Sequence, residues 1–426
     1  MEQMVADGEV QSGSDGSGVK SVTVTRRGAE RLRGGHLWVY RSDLQGSATP
    51  KDIGEPERGA LVTVVDGRGL ALGTALYSAG SQIALRMVSG TAGVGRPEYL
   101  DDLRGRVSAA IALRDELAPV SAENDARRLI FSEADDLPGI VADQYGDLVV
   151  VQLLVQGTAR ADVRGVLGGA LAEALGGRPG AVWERTDSRI REIEGLEAGA
   201  EEAMWAGGEP RSQTIFHLNG LGFQYDVGAG QKTGAFLDQR LNYAAAARHA
   251  RGRALDVCTY QGGFALHLAR VCERVTGVDA SRAALEVADR NLEMNGGALR
   301  AAVDWIEADA FELMRAYQDT GERFETIVLD PPAFAKSKRA TEGALRGYKE
   351  LNLRALRMLS AGGTLVTCSC SHHVPLEEFT GVVAAAAADA GRRVQVLETR
   401  GAAPDHPALL TMPETRYLKC LICRVV

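Results

Sequence analysis

The C-terminal half of the chain, from about residue 213, predicts an α/β fold with a doubly wound, mainly parallel sheet. Strand-length apolar segments alternate there with helix-length segments, which is the pattern of successive βαβ units. Three of the strand-like segments end on or near an aspartate, and the first runs into a loop with paired glycines. Because open α/β sheets bind ligands at the carboxyl ends of their strands, this half is predicted to carry the ligand site.

The elements of this half follow one another without a break in the pattern, which predicts one domain over 213–426. Strands are predicted at 254–258, 274–279, 305–309, 326–330, 363–368 and 417–426. Helices are predicted within 265–270, up to 295, after 309 and over 347–359.

Two smaller domains and a tail are predicted upstream. Residues 1–19 are rich in Gly, Ser and acids and predict a disordered tail. Residues 20–92 have short alternating stretches separated by glycines, typical of a small β-barrel or open sheet. The remainder is predicted to be an α+β domain over 93–212, with helices at 103–117 and 159–175 and strands at 128–131, 148–154 and 181–184. Asp135-Asp136-Leu137-Pro138-Gly139 has the composition of a turn, so no catalytic site is assigned to this domain.

Composition excludes several classes of protein. The six cysteines are absent from the first 257 residues, a poor pattern for a disulfide framework, so free thiols in a cytoplasmic protein are expected. No apolar run approaches the roughly 20 residues that span a bilayer, so no membrane partner is expected. The net charge of −8 excludes a globally basic coat but not a local basic patch. Oligomeric state is left open, with a homodimer among the alternatives.

One such patch is predicted near the N-terminus. The window 20–41 holds six basic residues against the single acid Glu30, and Trp38, Tyr40 and His36 lie among or just beyond the arginines. A solvated charged face is the simpler interpretation. Basic and aromatic residues interleaved on a small β-domain also favour contact with RNA.

The aspartates at the strand ends predict a nucleoside-containing cofactor. Asp256, Asp279 and Asp309 fall near the ends of successive strands, and Asp279 follows the paired glycines at about the distance of an acid that binds ribose hydroxyls. A dinucleotide-binding dehydrogenase would share that acid, but the loop Thr259-Tyr260-Gln261-Gly262-Gly263 lacks the G-x-G-x-x-G pattern. Asp256 and Asp309 could each instead cap a helix.

These features resemble the class I methyltransferases, which implies S-adenosylmethionine as cofactor. By that resemblance Asp256 approaches the methionine amino group, Asp279 holds the ribose and Asp309 lies by the adenine. Asp330-Pro331-Pro332-Ala333-Phe334 looks like the fourth motif of these enzymes, which shapes the slot where a flipped-out base meets the methyl donor.

The strand after this motif ends in Cys368-Ser369-Cys370-Ser371. Carbon C5 of a pyrimidine accepts a methyl group only after a thiolate adds at C6, so a cysteine beside Asp330 suits that chemistry. Asp330 could then hydrogen-bond the cytosine edge. Both cysteines could also be small core residues, and spacing alone does not choose between them. His372 and His373 are expected to be loop residues, either of which could tune the thiolate.

Taken together, the motifs resemble the bacterial large-subunit rRNA cytosine-C5 methyltransferases that carry an N-terminal PUA domain. The resembling segments are 35–40, 135–139 with 141–146, 230–240, 255–264, 330–334, 369–371, 405–407 and 413–419. The resemblance to this family implies a Rossmann-like class I methyltransferase domain preceded by a β-rich PUA domain and a central α+β domain, with RNA as the partner. Cys370 of the Ser-Cys-Ser motif is then the nucleophile, and Phe236, Tyr260 and Gly262 join the cofactor site. The basic stretch 336–339 could hold RNA phosphates.

Two departures and two alternatives accompany this interpretation. Cys258 stands where the family usually has an aromatic residue, and Cys368 where an apolar one is expected. N-methylation of a base, such as the guanine exocyclic amine, would also suit Asp-Pro-Pro and needs no cysteine. An RNA-binding assembly factor without turnover is the third class, disfavoured by the intact acids. Cys420 and Cys423 are predicted to point to opposite faces of the last strand, so no metal site is assigned to them.

Overall fold

The computed structural model describes residues 19–45, 56–197, 199, 201–228, 234–335 and 338–426. The predicted tail lies outside this range except for Val19. In the described part of the chain, no helix is both long and apolar enough to cross a membrane.

The N-terminal domain is an open sheet with the strand order β1-β3-β4-β5-β2, which confirms the predicted β-rich domain. Its elements are β1 (Ser21–Thr23), α1 (Arg26–Arg33), β2 (Trp38–Tyr40), β3 (Leu61–Val65), β4 (Ala71–Tyr77) and β5 (Ile83–Ser89). Alternate apolar residues of the strands, such as Val62, Val64 and Leu85, form a core of its own under α1.

The central domain packs helices against a mixed sheet of order β10-β9-β8-β7-β6. Its elements are α2 (Arg96–Leu117), β6 (Ala126–Phe131), β7 (Ile140–Tyr145), β8 (Leu148–Leu153), α3 (Ala161–Ala174), β9 (Ala181–Glu184), α4 (Ser188–Glu194) and β10 (Glu202–Ala206). The predicted turn at 135–139 is confirmed, since Asp136 and Gly139 both have positive φ angles. The elements β7, α4 and β10 are additions that the sequence pattern did not reveal.

The prediction that βαβ units begin at residue 213 is wrong for the first segment. Residues 213–226 form an antiparallel hairpin of β11 (Gln213–Leu218) and β12 (Leu221–Asp226). Asn219 and Gly220 adopt φ angles of +53° and +79° at its turn. Alternating residues flanking Asn-Gly are a strong hairpin signal, so this element was visible in the sequence.

The C-terminal domain is the predicted doubly wound sheet. Its elements are α5 (Arg240–His249), β13 (Arg253–Val257), α6 (Gly263–Ala269), β14 (Arg274–Asp279), α7 (Arg282–Asn295), β15 (Ala302–Glu307), α8 (Ala310–Asp319), β16 (Phe324–Leu329), α9 (Thr341–Met358), β17 (Leu359–Ser369), α10 (Leu376–Asp389), β18 (Val394–Arg400) and β19 (Lys419–Val425). The strand order is β15-β14-β13-β16-β17-β19-β18. The strands are parallel as far as β17, and β19 runs antiparallel to both of its neighbours, β17 and β18.

The order of strands reverses between β13 and β16, which pair in parallel although β14 and β15 lie between them in sequence. Such a switch point opens a crevice at the carboxyl ends of the strands. Cys420 and Cys423 of β19 belong to the cores on opposite faces of the sheet, as predicted. All six cysteines lie in the described residues, and none of them forms a disulfide.

A buried arginine joins the central and C-terminal domains. Arg114 of α2 is 0% exposed. Its guanidinium donates to both carboxylate oxygens of Asp135, at 2.5 and 2.8 Å, and to the backbone carbonyl of Asp405. The Asp405 side chain in turn pairs with Arg240 at 3.2 Å and accepts from the Arg128 amide at 3.0 Å. Although burial opposes ionisation, His406 and Arg240 hold the pKa of Asp405 at about 2.

Replacing Arg114 with methionine is expected to destabilise the protein by roughly 3 kcal/mol or more, because the Asp135 carboxylate would stay buried without its cation. This loss corresponds to a fall of about 5–10 °C in the midpoint of thermal unfolding. Arg104→Met, on the exposed side of the same helix, is the matched control and should leave the midpoint within about 1 °C. Equal midpoints for the two variants would contradict this account of the domain junction.

Candidate active site

The predicted acids converge on the loop that follows β13. The thiol of Cys258 lies in this loop, and its pKa is raised above the ordinary value by burial and by the negative charges of Asp279, Asp330, Asp256 and Asp309. All four aspartates therefore lie close enough to Cys258 to affect the pKa of its thiol, although they come from different strands. The structure brings these predicted site residues together at the switch point.

Backbone conformation explains why the loop needs its particular residues. Cys258, Tyr260 and Gly262 all have positive φ angles, of +64°, +52° and +86°. Gly262 is the N-cap of α6, and a Cβ added there would lie 3.1 Å from the Trp305 ring. Glycine therefore suits both the positive φ angle and the close packing against Trp305 at this position.

Asp256 is a buried carboxylate below this loop. Its Oδ2 accepts from the Thr259 hydroxyl at 2.5 Å and from the Ala265 amide at 2.9 Å. Oδ1 is buried and has no hydrogen-bond partner. Burial raises the pKa of Asp256 to about 7, against the effect of these hydrogen bonds. An unpartnered buried acceptor next to a cleft suits a cationic ligand group.

Asp279 and Asp309 differ in how many of their carboxylate oxygens already accept hydrogen bonds. At the end of β14, Asp279 accepts from the Tyr260 amide through Oδ2 and from the Ser281 amide through Oδ1, both at 2.9 Å. Asp309 is exposed, and its Oδ1 accepts from the Phe311 and Glu312 amides at the start of α8. The capping role considered for Asp309 is thus present, with one carboxylate oxygen engaged.

Two aromatic residues form one wall beside these acids. The ring of Phe236 meets the ring of Tyr260 edge-on, with centroids 5.1 Å apart. The Tyr260 hydroxyl donates to the carbonyl of Gly234 at 3.0 Å. The chain preceding α5 is therefore tied to the loop after β13.

Asp330 follows β16 directly across the switch point from that loop. Its amide donates to the Val257 carbonyl at 3.2 Å, and its Oδ2 accepts from the Gln239 side chain at 3.0 Å. Asn242 donates to the same Gln239 at 2.6 Å. The carboxylate is thus held in a fixed orientation while remaining partly exposed.

The two cysteines at the end of β17 occupy different environments. Cys368 is 0% exposed and lies opposite Cys420 of β19. Burial raises the pKa of the Cys368 thiol well above its usual range. Cys370 lies just beyond the strand, is partly exposed, and has its Sγ 3.9 Å from the Pro331 carbonyl oxygen. The structure therefore distinguishes a core thiol from one beside the Asp-Pro-Pro motif.

Comparison with known proteins gives the family. Residues 177–412 match the family described as S-adenosylmethionine-dependent methyltransferase, and residues 22–90 match a PUA-like domain. The chain belongs to the S-adenosylmethionine-dependent methyltransferases. It is 38% identical over 398 residues to the ribosomal RNA large subunit methyltransferase I of Pseudoalteromonas translucida, covering 92% of this chain and 96% of the relative. The protein of that name from Erwinia tasmaniensis is 38% identical over 396 residues, with the same shares covered. This methyltransferase is therefore a member of their family.

Solved structures share its fold. A crystal structure of a putative methyltransferase complexed with SAH has a TM-score of 0.78 at 18% identity, covering 95% of this chain and 100% of the other. A putative SAM-dependent methyltransferase from Streptococcus mutans has a TM-score of 0.79 at 18% identity, with the same shares covered. The fold of this methyltransferase is thus seen in experimental structures. Its cofactor is S-adenosylmethionine.

In this methyltransferase, the basic window of the PUA-like domain is less positive than its sequence indicates. Arg27 and Arg31 pair with Asp43, and Arg33 pairs with Asp66. Arg41 donates to backbone carbonyls. The balancing acids lie outside the window, which is why the sequence count overstated the charge.

The aromatic residues of the same segment contact other domains of this methyltransferase. Trp38 donates through Nε1 to Glu133 of the central domain at 2.7 Å, and His36 lies 3.5 Å from the Glu414 carboxylate. These contacts orient the PUA-like domain and leave Trp38 only partly exposed. Its predicted role in RNA binding stays a prediction.

One residue of the site was missed by sequence reasoning. Lys419, at the start of β19, is 6% exposed and lies near Cys370. Its position in the last strand gave no signal of this contact. Two predicted segments lie outside the described residues: 230–233 of the motif 230–240, and 336–337 of the basic stretch.

Proposed function

We propose that this methyltransferase forms 5-methylcytosine in large-subunit ribosomal RNA, with Cys370 as the nucleophile. The observation that carries the proposal is the partly exposed thiol beside the Pro331 carbonyl, one residue from Asp330, while Cys368 is buried. The names of the relatives supply the substrate class. A ribosomal RNA substrate also implies a cytoplasmic protein.

The chain's own residues fit the methyl donor. We assign Asp256 to the methionine ammonium, because its buried Oδ1 lacks a partner. Asp279 is assigned to the ribose, and Asp309 with the wall of Phe236 and Tyr260 to the rest of the nucleoside. Gly262, the N-cap of α6, is assigned to the same cofactor site. When bound, S-adenosylmethionine supplies an electrophilic methyl group.

At the base, the Cys370 thiolate adds to C6 of cytosine and forms a sulfur–carbon bond. The electrons of the C5–C6 double bond become available at C5 as the ring is stabilised by a hydrogen bond from its N3–N4 edge to Asp330. C5 takes the methyl group and then loses its proton to a base. The sulfur–carbon bond breaks, the double bond re-forms, and Cys370 leaves as thiolate.

The remaining domains are assigned to RNA docking. We take 20–92 as the PUA domain, 93–212 as the central domain and 213–426 as the catalytic domain. A base must leave its stack to reach a slot at the strand ends, and contacts by neighbouring domains can hold the flanking RNA while it does.

The affinity of the ligand-free enzyme for S-adenosylhomocysteine should rise with pH. Since the pKa of Asp256 is about 7, its carboxyl is mostly neutral at pH 5.5 and ionised at pH 8.5. If the ionised form binds the ligand ammonium, affinity should increase about thirtyfold over this range. Titration calorimetry at several pH values measures it. Asp256→Asn should flatten the dependence and Asp279→Asn should retain it, whereas a flat wild-type profile would contradict the assignment.

Identifying the methylated nucleoside tests the proposed function. The enzyme would be incubated with methyl-labelled S-adenosylmethionine and unmodified ribosomal RNA. The RNA would then be digested and its nucleosides analysed by mass spectrometry. Label in 5-methylcytidine is expected. Label on a guanine nitrogen would contradict the C5 mechanism. Binding of cofactor and RNA without transfer of label would favour the alternative of an assembly factor without turnover.

A further inference from the structure

A buried lysine lies near the thiol assigned as nucleophile and donates to the carbonyl of the next residue, Ser371. Lys419 pairs in register with Ser369, so its position is fixed by the ladder between β17 and β19. Its Nζ donates to the carbonyl oxygens of Ser371 and Tyr417, both at 2.7 Å. Lysine is almost never buried to this degree unless it is paired with an opposite charge.

No carboxylate among the described residues pairs with it. Lys349, by comparison, forms an exposed ion pair with Asp389 at 2.8 Å. The charge that acts on Lys419 is that of Cys370, which favours the ammonium, whereas burial lowers the pKa of Lys419 to about 8. Two of its three N–H donors are used by carbonyls, which leaves one for a further acceptor.

Among the described residues around Cys370, the two tyrosines and Asp330 do not supply such a cation. Tyr348 from α9 and Tyr417 before β19 have raised pKa values, mainly through burial, so both are neutral near pH 7. Asp330 is an acid and opposes a thiolate. The ring of His372 lies tilted against that of Tyr417, with centroids 5.3 Å apart, and its Nδ1 lies 3.1 Å from the carbonyl oxygen of Glu414.

We propose that Lys419 is the positioning residue that keeps Cys370 as a thiolate before the base arrives. The inference rests on the proposed function, in which Cys370 attacks cytosine. An ammonium next to a thiol favours its ionised form. By holding the carbonyl of Ser371, the same ammonium also fixes the turn that carries Cys370. Lys419 itself touches neither the base nor the methyl donor in this scheme.

Alkylation of Cys370 measures the thiolate without RNA. The full-length enzyme would be treated with iodoacetamide between pH 5.5 and 10, and alkylation of the peptide containing Cys370 followed by mass spectrometry. The wild-type midpoint should lie below the ordinary thiol value of about 8.5. In Lys419→Met and in Lys419→Gln, which retains donors for the carbonyls, the rate at pH 7 should fall about tenfold, with rates converging at high pH.

Three further variants separate charge from structure. Lys419→Arg keeps the cation and should keep the low midpoint. Lys349→Met is the matched surface control, and His372→Ala removes the neighbouring imidazole; neither should shift the midpoint. A wild-type midpoint at or above about 8.5, a Lys419→Gln profile like wild type, or a shift that follows His372 would overturn the proposal. Because the assay contains no RNA, a shifted profile combined with RNA methylation that survives Cys370→Ala would reject the proposed function alone.

Discussion

Cys370→Ala should abolish methyl transfer, lowering the rate by a factor on the order of 10³ or more, because a nucleophile cannot be replaced by the groups around it. Cys368→Ala should stay within about threefold of wild type, since its thiol is buried against Cys420 and functions as a small core side chain. Transfer of labelled methyl groups to unmodified ribosomal RNA measures both rates.

Binding of S-adenosylhomocysteine provides the control for this pair. Neither cysteine is assigned to the cofactor, so both variants should bind it as wild type does. Activity lost in Cys368→Ala but kept in Cys370→Ala would reverse the assignment. Activity kept in both would leave the enzyme a methyltransferase that uses no cysteine.

Asp330→Ala should lower the rate of methyl transfer roughly 10²-fold or more, because the hydrogen bond that stabilises the N3–N4 edge of the base during addition would be lost. The Gln239 side chain that now donates to Asp330 would lose its acceptor, and the ring of the base would lose the partner that stabilises the adduct. Single-turnover measurements with saturating RNA isolate this step from RNA binding.

Asp330→Asn tests which property matters, because asparagine can still accept from Gln239 but carries no charge. We expect an intermediate loss. Asp304→Ala is the matched control, since this carboxylate lies on β15, at the edge of the same sheet, and pairs with Arg274 at the surface. If Asp330→Ala reduced only the affinity for S-adenosylhomocysteine, Asp330 would belong to the cofactor site and not to the base slot.

The acids of the cofactor site were predictable because strand ends can be located from local patterns. Asp256, Asp279 and Asp309 each follow a short apolar run, and parallel strands bring their carboxyl ends to one edge. The sequence could not show which carboxylate oxygens already accept hydrogen bonds from the protein and which are left to bind the cofactor. Asp309 precedes a helix with Glu312 at its third position, a pattern that indicates capping, and the structure has that cap.

Local sequence patterns could not predict contacts between segments that are distant in the chain. Arg114 and Asp405 are 291 residues apart, and nothing in either segment indicates their contact. Lys419 obtains one of its carbonyl partners from a residue 48 positions earlier. The choice between Cys368 and Cys370 was also open from spacing, because it depends on where β17 ends. In the structure the strand ends at Ser369, which buries one thiol and leaves the other at the edge of the slot.

Trapping the covalent adduct is the most direct test of the central claim. In RNA whose cytosines carry fluorine at C5, the methylated adduct has no C5 proton to lose, so the bond between enzyme and base should persist. Wild-type enzyme with S-adenosylmethionine and this RNA should give a denaturation-resistant complex whose digested peptide carries the nucleotide on Cys370. An adduct on Cys368, or no adduct from an enzyme that methylates ordinary ribosomal RNA, would contradict the account.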